Sequence, residues 1–400
     1  MSEIAAPTRA AALERLAAFA PRIGRAYAAG RNLDPGPGAR RDVSLLSPHI
    51  RHRLLTEQEV VAAALHRHGL PAAEKFIQEV FWRTYWKGWL EMRPSVWARF
   101  TQERDRALAD PPPGYETALR GETGITCFDA WMEELRATGW LHNHARMWFA
   151  SIWIFTLRLP WVLGADAFLR HLLDADAASN TLSWRWVAGM QTRGKHYVAR
   201  AENIARCTNG RFDPRGQLDE DPAPLDDGPP PAPLPLALPA RAPDGPALLL
   251  LHEDDLHPES LDLGAARIVA VAGVAVPQAR SPLGCAPGAA AFAEAALDDA
   301  LARAGAHFAV PAHRVAVPDV AALAAESGAR GVVMPHAPVG WTATALAPLG
   351  AALAARGIAL HAVRRDWDSL CWPHATKGFF AFRERIPGFC AALVRSPRAP

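Results

Sequence analysis

The stretch LLDADAASNTLSWRW (172–186) sets Asp174 and Asp176 two residues apart, then Asn180, then Trp184 and Trp186 on either side of one arginine. Carboxylates orient a guanidinium or a polar ligand, and an amide donates and accepts without taking a charge. Indoles add flat stacking faces and give up an electron at an accessible potential. Eleven of the fourteen tryptophans fall between Trp82 and Trp186. Aromatic residues at helical spacing mostly fill cores, so a functional reading has to come from their neighbours.

The elements that would position these residues follow from periodicity. From 10 to about 205 apolar residues recur at helical spacing, broken by DPGPGARR (34–41) and DPPPG (110–114). The segment 218–245 is rich in Pro, Ala and Asp and reads as an extended linker. Beyond it ALLLL (247–251), ARIVAVAGVAV (266–276), ARGVVMP (329–335) and GIALHAV (357–363) read as buried parallel strands, with helices at 288–304 and 342–356 between them. The expected fold class is therefore multidomain α and α/β: a helical domain over 1–217, a linker over 218–245, and a smaller Rossmann-like α/β domain over 246–400. No GxGxxG is present, so no nucleotide site is read from a motif.

Charge divides along the same line. Residues 1–217 carry 29 Lys/Arg against 22 Asp/Glu (+7), and 218–400 carry 14 against 19 (−5), so the first half is the one to meet an anion. Five scattered cysteines without a CxxC pair argue against a disulfide framework or a thiolate metal site and fit a reducing cytoplasm. The N-terminus mixes acid and Arg in an Ala-rich pattern unlike a secretory signal. The most apolar run, MWFASIWIFTL (147–157), is well short of the roughly 20 residues that span a bilayer, so no membrane partner is expected.

Four segments in order, VSLLSPHI (43–50), EKFIQEVFWRTYW (74–86), TGWLHNHARMW (138–148) and LLDADAASNTLSWRW, resemble the FAD-binding domain of the cryptochrome/photolyase family over roughly 20–217. The resemblance implies FAD as cofactor. Ser44 and Ser47, before and at the start of a helix, are then phosphate contacts within the turn Ser44, Leu45, Leu46 and Ser47, although from the residues alone a plain N-cap is the simpler account of the serines. Tyr27 and Arg83 take further flavin-site positions. Arg146 and Asp174 form a pair beside the flavin ring, Asp176 faces its polar edge and Asn180 faces N5. Leu45 stands where the family often has a polar or basic residue.

By the same resemblance Trp184 and Trp161 are the first two members of an electron relay. Its third member is missing, with no Trp between Trp97 and Trp131, and Tyr115 or Trp153 are the candidates to replace it. Glu79, Trp82, Asn143, Met147 and Trp186 match the pocket for a cyclobutane dimer, Trp82 and Trp186 as aromatic walls. His144 replaces a common Arg, and TLS (181–183) replaces a smaller, often Gly-containing stretch. The implied activity is that of a deoxyribodipyrimidine photo-lyase on DNA containing pyrimidine dimers. The alternative is a cryptochrome-like blue-light sensor with a signalling protein partner. The segments 247–263 and 357–382 distantly resemble the two ends of the family's antenna domain, which normally precedes the flavin domain. An order-swapped antenna-like domain of unidentified pigment is the corresponding expectation, and an unrelated α/β domain is its alternative.

Overall fold

A computed structural model describes residues 3–395. The helical unit is organised by seven elements that matter for the cavity: α1 (Ser47–Arg51), α2 (Glu57–Glu91), α3 (Pro94–Ala109), α4 (Asn143–Ser151), α5 (Trp161–His171) and α6 (Ala177–Ala188), with the loop 172–176 between the last two. α2 starts with a capping box, Thr56 Oγ1 accepting from Glu59 N while Glu59 reaches back to Thr56 N. It breaks at Gly69 (φ 68°), two residues before Pro71, because a proline cannot continue the hydrogen-bond ladder. Its second half then presents Glu79, Trp82, Arg83 and Trp86 along one face at helical spacing.

α6 is capped by Asp176, whose Oδ1 accepts from Ser179 N at 2.7 Å, and it ends at Gly189 in the left-handed region (φ 90°). α4 is capped by His142, whose Nδ1 accepts from His144 N at 3.2 Å. It runs on into a π-turn at Ile152–Thr156 before Pro160 opens α5. The linker stays extended and lies on the helical unit, with Leu234 N bonded to Met92 O at 2.8 Å and Arg93 Nε to Pro231 O at 2.9 Å.

Five parallel strands follow: β1 (Gly245–His252), β2 (Ala266–Val274), β3 (Ala312–Arg314), β4 (Gly331–Pro335) and β5 (Ala359–Val363), in the order β3-β2-β1-β4-β5. β1 is buried on both faces. Leu248 and Leu250 join one core, while Leu249 and Leu251 join the other beneath α7 (Pro287–Phe308). A Cβ at Gly273 would lie 2.9 Å from Leu297 and Leu301, so the Ala-rich α7 rides directly on β2.

Three details depart from the expected string. β3 has only three residues and no apolar run to announce it. The helix expected at 342–356 is two short ones, Trp341–Leu346 and Leu349–Ala354, interrupted at Pro348. The segment beyond β5 folds as α8 (Asp366–Cys371), α9 (Phe379–Arg383) and α10 (Ile386–Arg395), which bury their apolar faces on α2 and not on the sheet. Phe81 of α2 meets Trp367 at 4.9 Å and Phe389 at 5.8 Å between ring centroids. The last helices of the segment 246–400 thus share the helical unit's core. Among the described residues no helix is long and apolar enough to cross a membrane.

Candidate functional site

The second half of α2, the turn at 43–47, α4, the loop 172–176 and α6 enclose a cavity of about 490 Å³, within the range of ligand sites. Fifteen of the seventeen residues matched to flavin, relay or lesion-pocket positions line it. From the N-terminal part come Tyr27, Ser44, Leu45 and Ser47; α2 contributes Glu79, Trp82 and Arg83; α4 contributes Asn143, Arg146 and Met147; and the last stretch contributes Asp174, Asp176, Asn180, Trp184 and Trp186. Two lie elsewhere. Leu46 is fully buried in the helical core, and Trp161 packs on Phe100 of α3 at 5.5 Å.

The inner end is charged. Arg146 donates to Asp174 Oδ2 at 2.9 Å and through Nε to Leu141 O at 2.9 Å, which fixes the guanidinium between α4 and the loop 172–176. Burial raises the Asp174 carboxyl, but Arg146 more than compensates and holds it below the ordinary carboxylate range. Asp176 Oδ2 lies 3.6 Å from Lys87 Nζ and 4.0 Å from Arg83. Burial opposes its ionisation, yet Lys87, Arg83 and Arg51 together keep it well below the usual range. Asp176 therefore serves both as the cap of α6 and as the anion among two buried cations, Lys87 and Arg51, and the half-buried Arg83.

The serine turn differs from the expected N-cap. The cap position of α1 is Leu46, without a side-chain cap, and Ser44 Oγ instead accepts from Leu46 N at 3.3 Å. Ser47 is the first helical residue and accepts from Trp140 Nε1 at 3.1 Å. Leu45 between them has φ 58°, a costly backbone for a residue with a side chain. Its side chain is held in a small cluster with Ile4, Trp140, Leu173 and Phe292. A buried leucine accounts for the missing polar residue at this position: it anchors the turn from below. Asn180 Nδ2 donates to Ala165 O of α5 at 2.8 Å, which leaves its oxygen for the cavity.

Behind Asn180 the indoles are packed closely. Trp184 is 2 % exposed, and its six-membered ring lies against Gly164 of α5, one turn on from Trp161. Its ring neighbours are Phe168 at 5.2 Å and Trp153 at 6.3 Å, and Trp153 in turn meets Tyr115 at 6.1 Å. Trp184 thus meets Trp153 edge-on, a second indole neighbour beside Trp161 on α5.

At the outer end Trp82 stacks on Phe379 of α9, with centroids 3.6 Å apart and planes at 11°. Trp186 stacks on Tyr197 at 5.8 Å. Phe379 does not line the cavity, so it backs the Trp82 ring from the far side. Glu79 is ion-paired with Arg31, and burial nevertheless raises its carboxyl above the ordinary value. Asn143 is exposed, with Nδ2 4.0 Å from Met147 Sδ. His144, at a common Arg position, bonds Asn32 O at 3.0 Å through Nδ1, and Ser183 of the TLS stretch reaches the cavity wall. Arg31, Trp140 and Ser179 also line the cavity, and Lys87 stands behind its wall against Asp176; none of the four was given a role in the sequence reading. Lys87 has a usable signal, since it follows Arg83 by one helical turn on α2.

Buried polar atoms without a hydrogen-bond partner gather here: Arg83 Nη1, Lys87 Nζ, Asp174 Oδ1, Ser179 Oγ and Trp184 Nε1. Such orphans are rare in folded proteins and require an explanation. A ligand with anionic and ring-edge polar groups supplies one, so the residues fit a flavin dinucleotide. The family described as "FAD binding domain of DNA photolyase" matches residues 76–219. Curated relatives named deoxyribodipyrimidine photo-lyase include that of Streptomyces griseus, 35% identical over 40% of this chain and 38% of its own. Those of Thermus thermophilus and Escherichia coli are each 32% identical, over 53% and 36% of this chain and 49% and 30% of theirs. The chain thus spans less than half the length of these relatives. Among solved structures, a class III photolyase from Agrobacterium tumefaciens is similar at 28% identity and TM-score 0.44, covering 50% of this chain and 43% of that one. A Synechocystis cryptochrome has 23% identity and TM-score 0.40, covering 52% and 44%. The similarity to the cryptochrome/photolyase family is thus carried by residues 76–219, which match its FAD-binding domain, and FAD is the cofactor.

Proposed function

We propose that the chain is a light-driven photolyase that repairs cyclobutane pyrimidine dimers in DNA, with its flavin at the inner end of the cavity and the lesion at the outer end. The observation that carries this reading is the composition of the outer end: two stacking faces, Trp82 and Trp186, with Glu79, Asn143 and Met147 around one mouth. A flipped dimer needs aromatic walls and hydrogen-bonding partners for its base edges. Glu79 and Asn143 supply the partners. Met147 supplies a polarisable side chain against the ring.

FAD, when bound and reduced, supplies the excited-state electron that splits the dimer and is then returned. The chain positions and tunes it. Arg146 and Asp174 orient the inner edge, Arg83 and Lys87 provide cations for anionic groups, and the Asn180 oxygen meets the ring without taking a charge. Trp184 with Trp153, continuing to Tyr115, forms the electron path that we assign in place of the missing third tryptophan, and Trp161 flanks it on α5.

The second reading, a blue-light sensor acting on a protein partner, is favoured by one observation: Glu79 already has an ion-pair partner in Arg31, which a base would have to share or displace. Reduced protein illuminated with a dimer-bearing oligonucleotide separates the two. Restoration of the bases by the wild type, and its loss in Trp186→Ala with flavin still bound, is the expected result. Unchanged repair by Trp186→Ala refutes the pocket assignment, and no repair by the wild type leaves the sensor reading.

A further inference from the structure

The carboxyl edge of the parallel sheet, between β1 and β4, is the switch point where open α/β sheets take their ligands. In this chain the helical unit fills it. Arg51, fully buried, donates to Glu253 O at 3.4 Å and is ion-paired with Asp254 at 2.5 Å, both in the loop after β1. His52 Nδ1 donates to Glu253 O at 2.6 Å, and Arg53 reaches Asp255 at 3.1 Å. The cavity left at this edge is about 10 Å³, room for no more than one water.

The same arginine has a second partner. Its Nε donates to Ala175 O, the carbonyl between the two aspartates of the flavin site. From the α/β side Arg280, fully buried after β2, donates to Leu172 O at 3.1 Å at the other end of that loop. The Trp341 ring packs against both guanidiniums, 5.1 Å from Arg51 and 5.3 Å from Arg280, and its Nε1 donates to Glu253 Oε1 at 2.7 Å. Two carbonyls of the loop 172–176, those of Leu172 and Ala175, are therefore held by buried cations whose charge partners or attachment lie in the sheet unit. Breaking one member of such a group leaves an uncompensated buried charge, so the arrangement is held as a whole.

We propose that the α/β unit is the clamp that shapes the flavin-contacting loop 172–176, with Arg51 and Arg280 as its positioning residues, so that FAD affinity and docking of the sheet unit are thermodynamically linked. This rests on the FAD site and not on the repair reading, so FAD affinity tests it without a dimer assay. Linkage also requires the reverse effect: bound FAD tightens the docking.

The test uses the full chain stripped of flavin and titrated with FAD. Arg51→Lys keeps a cation beside Asp254 but loses the planar fork that reaches Ala175 O, and Arg280→Met removes the bond to Leu172 O. Each is expected to weaken FAD binding by about 5- to 150-fold, the usual span of coupling between sites. Arg314→Ala, an exposed residue on β3, is the control and is expected to bind like the wild type. If either variant fails to fold, hydrogen exchange of the wild type decides. FAD is expected to slow exchange at 253–256 and 278–281, in the sheet unit. FAD affinities within twofold of wild type in both folded variants overturn the proposal, as does slowing confined to the helical unit.

Discussion

Gly164→Ala offers a prediction whose sign differs between sequence and structure. Gly164 lies inside α5, where replacing glycine by alanine is ordinarily stabilising by about 1 kcal/mol. A Cβ there would fall 2.2 Å from Cη2 and 2.6 Å from Cζ3 of Trp184, and 3.0 Å from Cδ2 of Trp153. Carbon atoms rest at about 3.5–4.0 Å, so the Trp184 ring must retreat by more than about 1 Å. It has little room, being 2 % exposed with Phe168 and Trp153 edge-on against it. Overpacking costs about 1–3 kcal/mol, and a ring hemmed in this way belongs near the upper end, so the net effect is a loss of about 2 kcal/mol. Urea unfolding of the full chain measures it, and near-ultraviolet circular dichroism reports the displaced indole. A variant at least as stable as the wild type, with an unchanged aromatic spectrum, refutes the close approach of α5 to Trp184.

Two further predictions follow from buried groups near the cavity. His142 is buried as the neutral cap of α4, and burial holds its imidazole down at about 4, against 6.5 normally. The unfolded chain therefore binds the proton first, and the stability due to this group is present above about pH 6.5 and lost as pH falls to about 4. The difference is worth about 3 kcal/mol at most. His142→Asn, which keeps a capping oxygen, is expected to flatten the pH dependence of stability in that window, and an identical slope in denaturant titrations at pH 7 and pH 4.5 contradicts it. Phe379→Ala removes the ring behind Trp82 and is expected to cost about 3 kcal/mol of stability. It should also lower affinity for dimer-bearing DNA more than Phe380→Ala on the exposed side of the same helix, and equal effects would show that Phe379 does not brace the wall.

The helical spacing of Glu79, Trp82 and Arg83, and the compact stretch from Asp174 to Trp186, were readable because one helix face and one loop with its following helix carry most of the cavity. The strands were readable as well, since β1 is buried on both faces and leaves an unbroken apolar run. What escaped depends on distant partners. Nothing local in GFFAF (378–382) reveals that Phe379 will stack on Trp82, nearly three hundred residues earlier in the chain. Leu45 stands out in the pattern only as a departure from a polar or basic residue, whereas its left-handed backbone and its burial against Trp140 and Phe292, the latter from α7, depend on distant partners. The assignment of Trp161 to the relay follows its position in the family pattern, whereas the edge-on approach of Trp153 to Trp184 is a packing contact that the pattern does not record. The carbonyl contacts of Arg51 and Arg280 involve backbone groups, which no residue pattern records.

The place of α8, α9 and α10 on α2 also sets a timetable for making this protein. About 180 residues separate Trp186 from Trp367, so at roughly 5–20 residues per second the ribosome needs on the order of 10–40 s to supply the side chains that back the far side of α2. During that interval the cavity-forming residues are already synthesised, while Phe81 and the outer face of Trp82 lack their partners and remain open to solvent. The nascent chain thus exposes an aromatic surface that chaperones would recognise until the last helices arrive to cover it.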